Sequence, residues 1–124
     1  MSSTKERKTP GPDHPITVTP TPERVTVRVG DTVVAQTDRA LSLAESNYPP
    51  VQYVPLADVD GELLRRTDLQ TYCPYKGDAS YYSLSTPVGE LENVVWTYED
   101  PYEPVAEIAG HVAFYPNKVE VSVG

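Results

Sequence analysis

The sequence predicts a mainly β fold, a compact single domain of about seven short antiparallel strands with one or two short helical turns. Three observations predict it. Residues 24–29 alternate strictly, with Val25, Val27 and Val29 on one face and Arg24, Thr26 and Arg28 on the other, the period of a half-buried strand. Short runs rich in β-branched and aromatic residues recur down the chain, punctuated by Gly and Pro. No segment carries a helical period long enough for the crossover that parallel strands require, which excludes a Rossmann or P-loop fold.

Taken in order, residues 1–22 hold five of the 13 prolines and five threonines with few apolar side chains. That composition predicts an extended, solvated tail whose removal leaves stability unchanged, with the folded domain at 23–124. Residues 24–37 read as a hairpin closed at Gly30-Asp31, where glycine supplies the unusual φ. Residues 39–45 place Leu41 and Leu43 two apart and read as a strand. Pro49, Pro50 and Pro55 remove donors from the next segment and confine it to an edge strand or extended wall, where Tyr48 and Tyr53 can line a cavity. Asp58 or Asp60 can cap a helical turn bearing Leu63 and Leu64. Residues 79–86 and 93–98 read as strands joined at Pro87–Gly89. A turn near 105–109 stops at Gly110, and the end of the chain reads as a last hairpin around Pro116-Asn117-Lys118.

Composition narrows function by exclusion. Eighteen acidic against 10 basic residues give a net charge of −8 without a basic stripe, so a phosphate backbone meets repulsion and nucleic acid is not an expected partner. No apolar stretch approaches bilayer length, so no membrane partner is expected. The lone Cys73 cannot form an intramolecular disulfide and the N-terminus lacks the apolar run of a secretory signal, which points to the cytoplasm. One Cys and two His cannot close a tetrahedral zinc site, so the expected fold is metal-free and without a cofactor. Nothing in the chain specifies more than a monomer or weak homodimer.

Chemistry concentrates at residues 71–83, TYCPYKGDASYYS, which holds the cysteine, a lysine between tyrosines and a glycine. Lys76-Gly77 pairs a cation with a residue that permits close backbone approach, a pattern that holds anionic or carbonyl groups of ligands. A solvated lysine is the alternative. Cys73 is either a buried small hydrophobe or a nucleophile with Lys76 or His111 as its base. Glu45 and Asp58 are acids that could act as catalytic groups or pair with Lys76 or Arg66 as a structural ion pair. Trp96 and Tyr98 alternate on one strand face, as core or as pocket wall.

With this motif, ESNYPPVQYVPLADV upstream, and VVWTYEDP and IAGHVAFYPNKVEV downstream, the chain resembles the bacterial family called domain of unknown function 427 over roughly residues 25–123. The resemblance implies a tent-like β fold of the Mss4-like kind, here in a relative without the metal, and a nucleotidyltransferase-like label. That label would need carboxylates gripping Mg²⁺, for which Asp58 and Asp60 have the spacing, but no Gly-Ser phosphate turn precedes them.

Three functions follow as expectations. The first is a small-molecule pocket, with or without catalysis, walled by Tyr53, Trp96 and Tyr98, with Lys76 and Gly77 on the ligand and Glu45, Asp58, Cys73 and Lys76 as candidate catalytic groups. The second is a non-catalytic module that adds a partner strand to an aromatic-rich edge. The third is Mg²⁺-dependent nucleotidyl transfer.

Overall fold

A computed structural model describes residues 6–124. It contains ten strands in two antiparallel sheets. The larger runs in the order β1-β4-β5-β9-β8-β7-β6 and the smaller in the order β10-β2-β3. The strands are β1 (Ile16–Pro20), β2 (Val25–Val29), β3 (Thr32–Thr37), β4 (Leu41–Glu45), β5 (Val51–Pro55), β6 (Leu64–Cys73), β7 (Gly77–Thr86), β8 (Gly89–Thr97), β9 (His111–Phe114) and β10 (Glu120–Val123). Short 3-10 turns at Leu56–Asp58, Gly61–Leu63 and Glu103–Ile108 complete it. Among the described residues no helix is long and apolar enough to cross a membrane.

The mainly β expectation holds, as does the β2–β3 hairpin, in which Gly30 takes a positive φ of 58° at the turn. Asp60 caps the second turn by accepting from Glu62 N. Alternation is read out directly: Val25, Val27 and Val29 are buried while Arg28 is exposed.

Five expectations need correction. Ten strands form where about seven were expected. The supposed tail contributes one of them: Ile16–Pro20 pairs with β4 from Ile16↔Glu45 to Pro20↔Leu41, so the folded unit begins before residue 23. Residues 1–5 of that tail lie outside the described residues. The second extra strand is β6, overlooked because LRRTDLQTYC carries charge on both faces. Among the described residues it is a sheet edge that pairs with β7 alone, where charged side chains are common protection against unwanted pairing. The proline-bearing β5 is interior, not an edge: Leu43 pairs with Val51 and Leu41 with Tyr53 on one side, Val54 with Val112 on the other. Finally, β9 and β10 form no hairpin. β9 lies between β5 and β8, whereas β10 crosses to the smaller sheet and pairs with β2.

Two hydrophobic clusters result. One is almost wholly aliphatic and joins Val25, Val27 and Val34 of the small sheet to Leu84, Val95 and Val112 of the large one. The other contains Leu43, Tyr53, Tyr81, Tyr98, Val105 and Ile108. The second underlies the candidate site.

Candidate functional site

Strand periodicity gathers the site on one face of the large sheet. Leu43 and Glu45 are two apart on β4, Val51 and Tyr53 two apart on β5, and Tyr81 of β7 sits opposite Trp96 of β8. Together with Tyr48, Pro49, Lys76, Tyr98 and Tyr115 they line a cavity of about 310 Å³.

Lys76 enters from the turn joining β6 to β7. Its backbone N–H donates to the Cys73 carbonyl at 3.2 Å and its carbonyl accepts from Tyr102 N at 3.0 Å, which fixes the turn from both sides. The residue is only 8 % exposed. Its ammonium donates to Glu45 Oε1 at 2.5 Å and lies 5.8 Å from the centre of the Tyr98 ring. A buried ammonium needs such company, because desolvation without a partner costs several kcal/mol. Glu45 is held in turn by His14, whose Nε2 lies 2.7 Å from Oε2 and whose ring stacks on Tyr75 with centroids 4.1 Å apart. Burial pushes the Glu45 carboxyl up, but the hydrogen bonds from Lys76 and His14 outweigh it and hold the group below its ordinary value.

The phenols are kept protonated. Burial raises Tyr53 and Tyr98 well above the usual tyrosine range, and burial with the neighbouring Tyr81 pushes Tyr115 up to about 12. Trp96 Nε1 donates to the Tyr53 hydroxyl at 3.2 Å, which leaves the Tyr53 O–H itself free to donate. The Tyr98 hydroxyl has no hydrogen-bond partner among the described residues. No side-chain polar atom among them is both buried and without a partner, so this hydroxyl keeps some exposure, and the Tyr98 side chain lines the cavity. The cavity wall is therefore rich in donors: an ammonium with unused N–H bonds and several neutral phenols.

Tyr53, Lys76, Trp96, Tyr98 and Glu45, singled out from sequence, meet at this cavity. The other selected residues do not. Asp58 lies elsewhere, accepting from Thr37 Oγ1 at 2.6 Å and from Arg39 at 3.2 Å in a separate concavity with Arg24 and Asp38. Of the two acids weighed as partners for Lys76, only Glu45 reaches it. Gly77 has φ of 110°, which is what calls for glycine, and it faces the protein's own chain: a Cβ there would sit in ordinary contact with the Asp100 carbonyl at 3.5 Å. Cys73 is half-buried against the tyrosine cluster, and its thiol forms no hydrogen bond among the described residues. His111, weighed as its base, sits where β9 pairs with Pro55 and bonds the Ala109 carbonyl. Asp60 is occupied as a turn cap. No cluster of three or more metal-ligating side chains forms among the described residues.

Sequence reasoning missed His14, Tyr81 and Tyr115. The last two are visible as tyrosines within strand patterns, but nothing local says which face they take. His14 lay in a segment whose composition gave no hint of packing.

A family profile described as a domain of unknown function, DUF427, matches residues 17–124, and the chain belongs to that family. No curated protein matches the chain.

Proposed function

We propose that the cavity binds a small neutral molecule through a carbonyl group, most simply a carboxamide. The observation that carries this reading is the Lys76–Glu45 pair set into the wall of an aromatic cavity. The sequence alone left an anionic and a carbonyl-bearing ligand equally open. The neighbouring carboxylate separates them: it already balances the ammonium, so a second anion would meet Glu45 as well as Lys76 inside a protein of net charge −8. A neutral amide suits both partners, its oxygen accepting from Lys76 or a phenol and its N–H donating to Glu45. The cavity's volume is at the lower end for small-molecule sites.

The two other readings have less support. Magnesium-dependent nucleotidyl transfer would rest on Asp58 and Asp60, whose carboxylates are engaged by Thr37 and Arg39 and by Glu62 N respectively. Strand addition at an aromatic edge finds Tyr53, Tyr81 and Tyr82 on interior strands β5 and β7, while the edge strand β6 carries Arg65, Arg66 and Asp68 and one tyrosine, Tyr72. The test is titration of the chain's one tryptophan, Trp96, by fluorescence with acetamide and with acetate. Acetamide should perturb the emission saturably in the wild type and not in Lys76→Met. Tighter binding of acetate would replace this reading with an anion site, and no response to either would favour the interaction module.

A further inference from the structure

Beside the Lys76 cavity lies a second concavity of about 290 Å³ with different chemistry. Pro49, Pro50 and Pro116 line it together with Val51, Trp96, Phe114, Val121 and Val123. No charged residue lines it. Its one polar side chain, Gln52, already accepts from Thr21 Oγ1 at 2.6 Å. Pro49, Val51 and Trp96 line both, so the groove adjoins the cavity across this shared wall. Prolines make its rim rigid and remove backbone donors. Val123, 49 % exposed, leaves apolar surface in water that burial would favour covering.

Resting on the reading of the cavity as a carbonyl site, we infer that the groove takes the hydrocarbon tail of the same ligand, which makes the ligand class an amphipathic acyl amide. The wall of Pro49, Val51 and Trp96 that the two concavities share carries the choice of occupant. A head held in the cavity leaves the remainder of the molecule to pass over this shared wall, where it meets walls that are apolar except for Gln52. Trp96 reports on both halves: its Nε1 is fixed by Tyr53 on the cavity side, while its ring also borders the groove.

The experiment is a Trp96 fluorescence titration with straight-chain primary amides from acetamide to octanamide, on the full chain. Affinity should rise about fourfold per added methylene once the tail reaches the groove, then level off when the groove is filled. Val123→Asp should weaken octanamide at least tenfold while acetamide binds as before, with unchanged circular dichroism showing that the fold survives. Val123→Ser, which adds no charge, should weaken octanamide by a smaller factor. If acetamide binds in a Lys76-dependent way but affinity is flat with chain length, the tail inference is overturned and the head site stands. If affinity climbs with length but ignores Lys76→Met, the bridging ligand is overturned and the carbonyl reading with it. A concentration-dependent dimer in sedimentation, abolished by Val123→Asp, would also overturn it by making the groove an interface between copies of this chain.

Discussion

The aliphatic cluster joining the two sheets and the tyrosine-bearing cluster beneath the cavity occupy the same small domain but are built from different chemistry. The first is closed by Val, Leu, Ala and Phe, with Val25, Val27, Val34, Leu84, Val95 and Val112 at 0 % exposure. The second places Tyr53, Tyr81 and Tyr98 among Leu43, Val105 and Ile108, and opens onto Lys76 and Glu45. Close-packed aliphatic side chains contribute through area removed from water and tolerate no vacancy. Phenols bring comparable area with a polar end that must be satisfied, which is a liability in a sealed core and an asset beside a ligand. The comparison teaches a division of labour: the small sheet and its aliphatic seam hold the fold, so that the large sheet's other face can carry incompletely paired polar groups.

The largest expected effect breaks the aliphatic side. Leu84→Ala should destabilise the domain by about 2–5 kcal/mol in denaturant melts, because the site is fully buried and the strands around it cannot collapse onto the void. Amide titration of Trp96 should be unchanged under native conditions. An equal loss of binding would show that the two clusters are mechanically one.

Next in size is the N-terminal segment, which serves the tyrosine side. Ile16 and Val18 of β1 pack on that cluster, Lys8 N donates to the Pro74 carbonyl, and His14 reaches Glu45. Deleting residues 1–22 removes all of these contacts. The expected loss is about 1–2 kcal/mol from the two partly buried side chains alone, a fall of several degrees in Tm. An unchanged Tm would restore the dispensable tail that composition suggested.

That mistaken expectation shows where sequence stops being legible. The β2–β3 hairpin could be read because its alternation and its Gly turn are both local. Glu45, Tyr53, Lys76, Trp96 and Tyr98 could be selected because an ammonium, an acid and amphipathic aromatics are chemically conspicuous. Pairing partners were another matter. Val119, Val121 and Val123 alternate as well as any strand, yet alternation specifies a face and not a neighbour, so β10's crossing to β2 was invisible. Ile16-Thr17-Val18-Thr19 alternates too, but prolines on either side made it resemble a solvated arm. Asp58 was conspicuous for the same reasons as Glu45, and only the tertiary fold assigns one to Arg39 and the other to Lys76.

The smallest expected effect sharpens the comparison from the charged end of the cavity, through pH. The Glu45 carboxyl is held below its ordinary value of 4.5 in the folded protein, because the Lys76 and His14 hydrogen bonds together exceed the effect of burial. A carboxyl with a depressed folded pKa binds its proton more readily in the unfolded chain. Its contribution to stability is therefore present in full above the unfolded value and is lost as pH falls through the folded one. Wild-type Tm should accordingly decline on acidification below about pH 4.5, steeply enough that Glu45→Gln, which has no proton to gain there, shows a shallower decline. At neutral pH Glu45→Gln should be the less stable protein, since it leaves the Lys76 ammonium with a neutral partner at 8 % exposure. The two curves should converge toward low pH. Leu84→Ala supplies the control from the aliphatic side: its curve should lie below the wild type by a nearly constant amount, because no titrating group changes environment with it. Parallel curves for wild type and Glu45→Gln would mean that the pair adds nothing to folding and that Lys76 is held at the cavity by its turn alone.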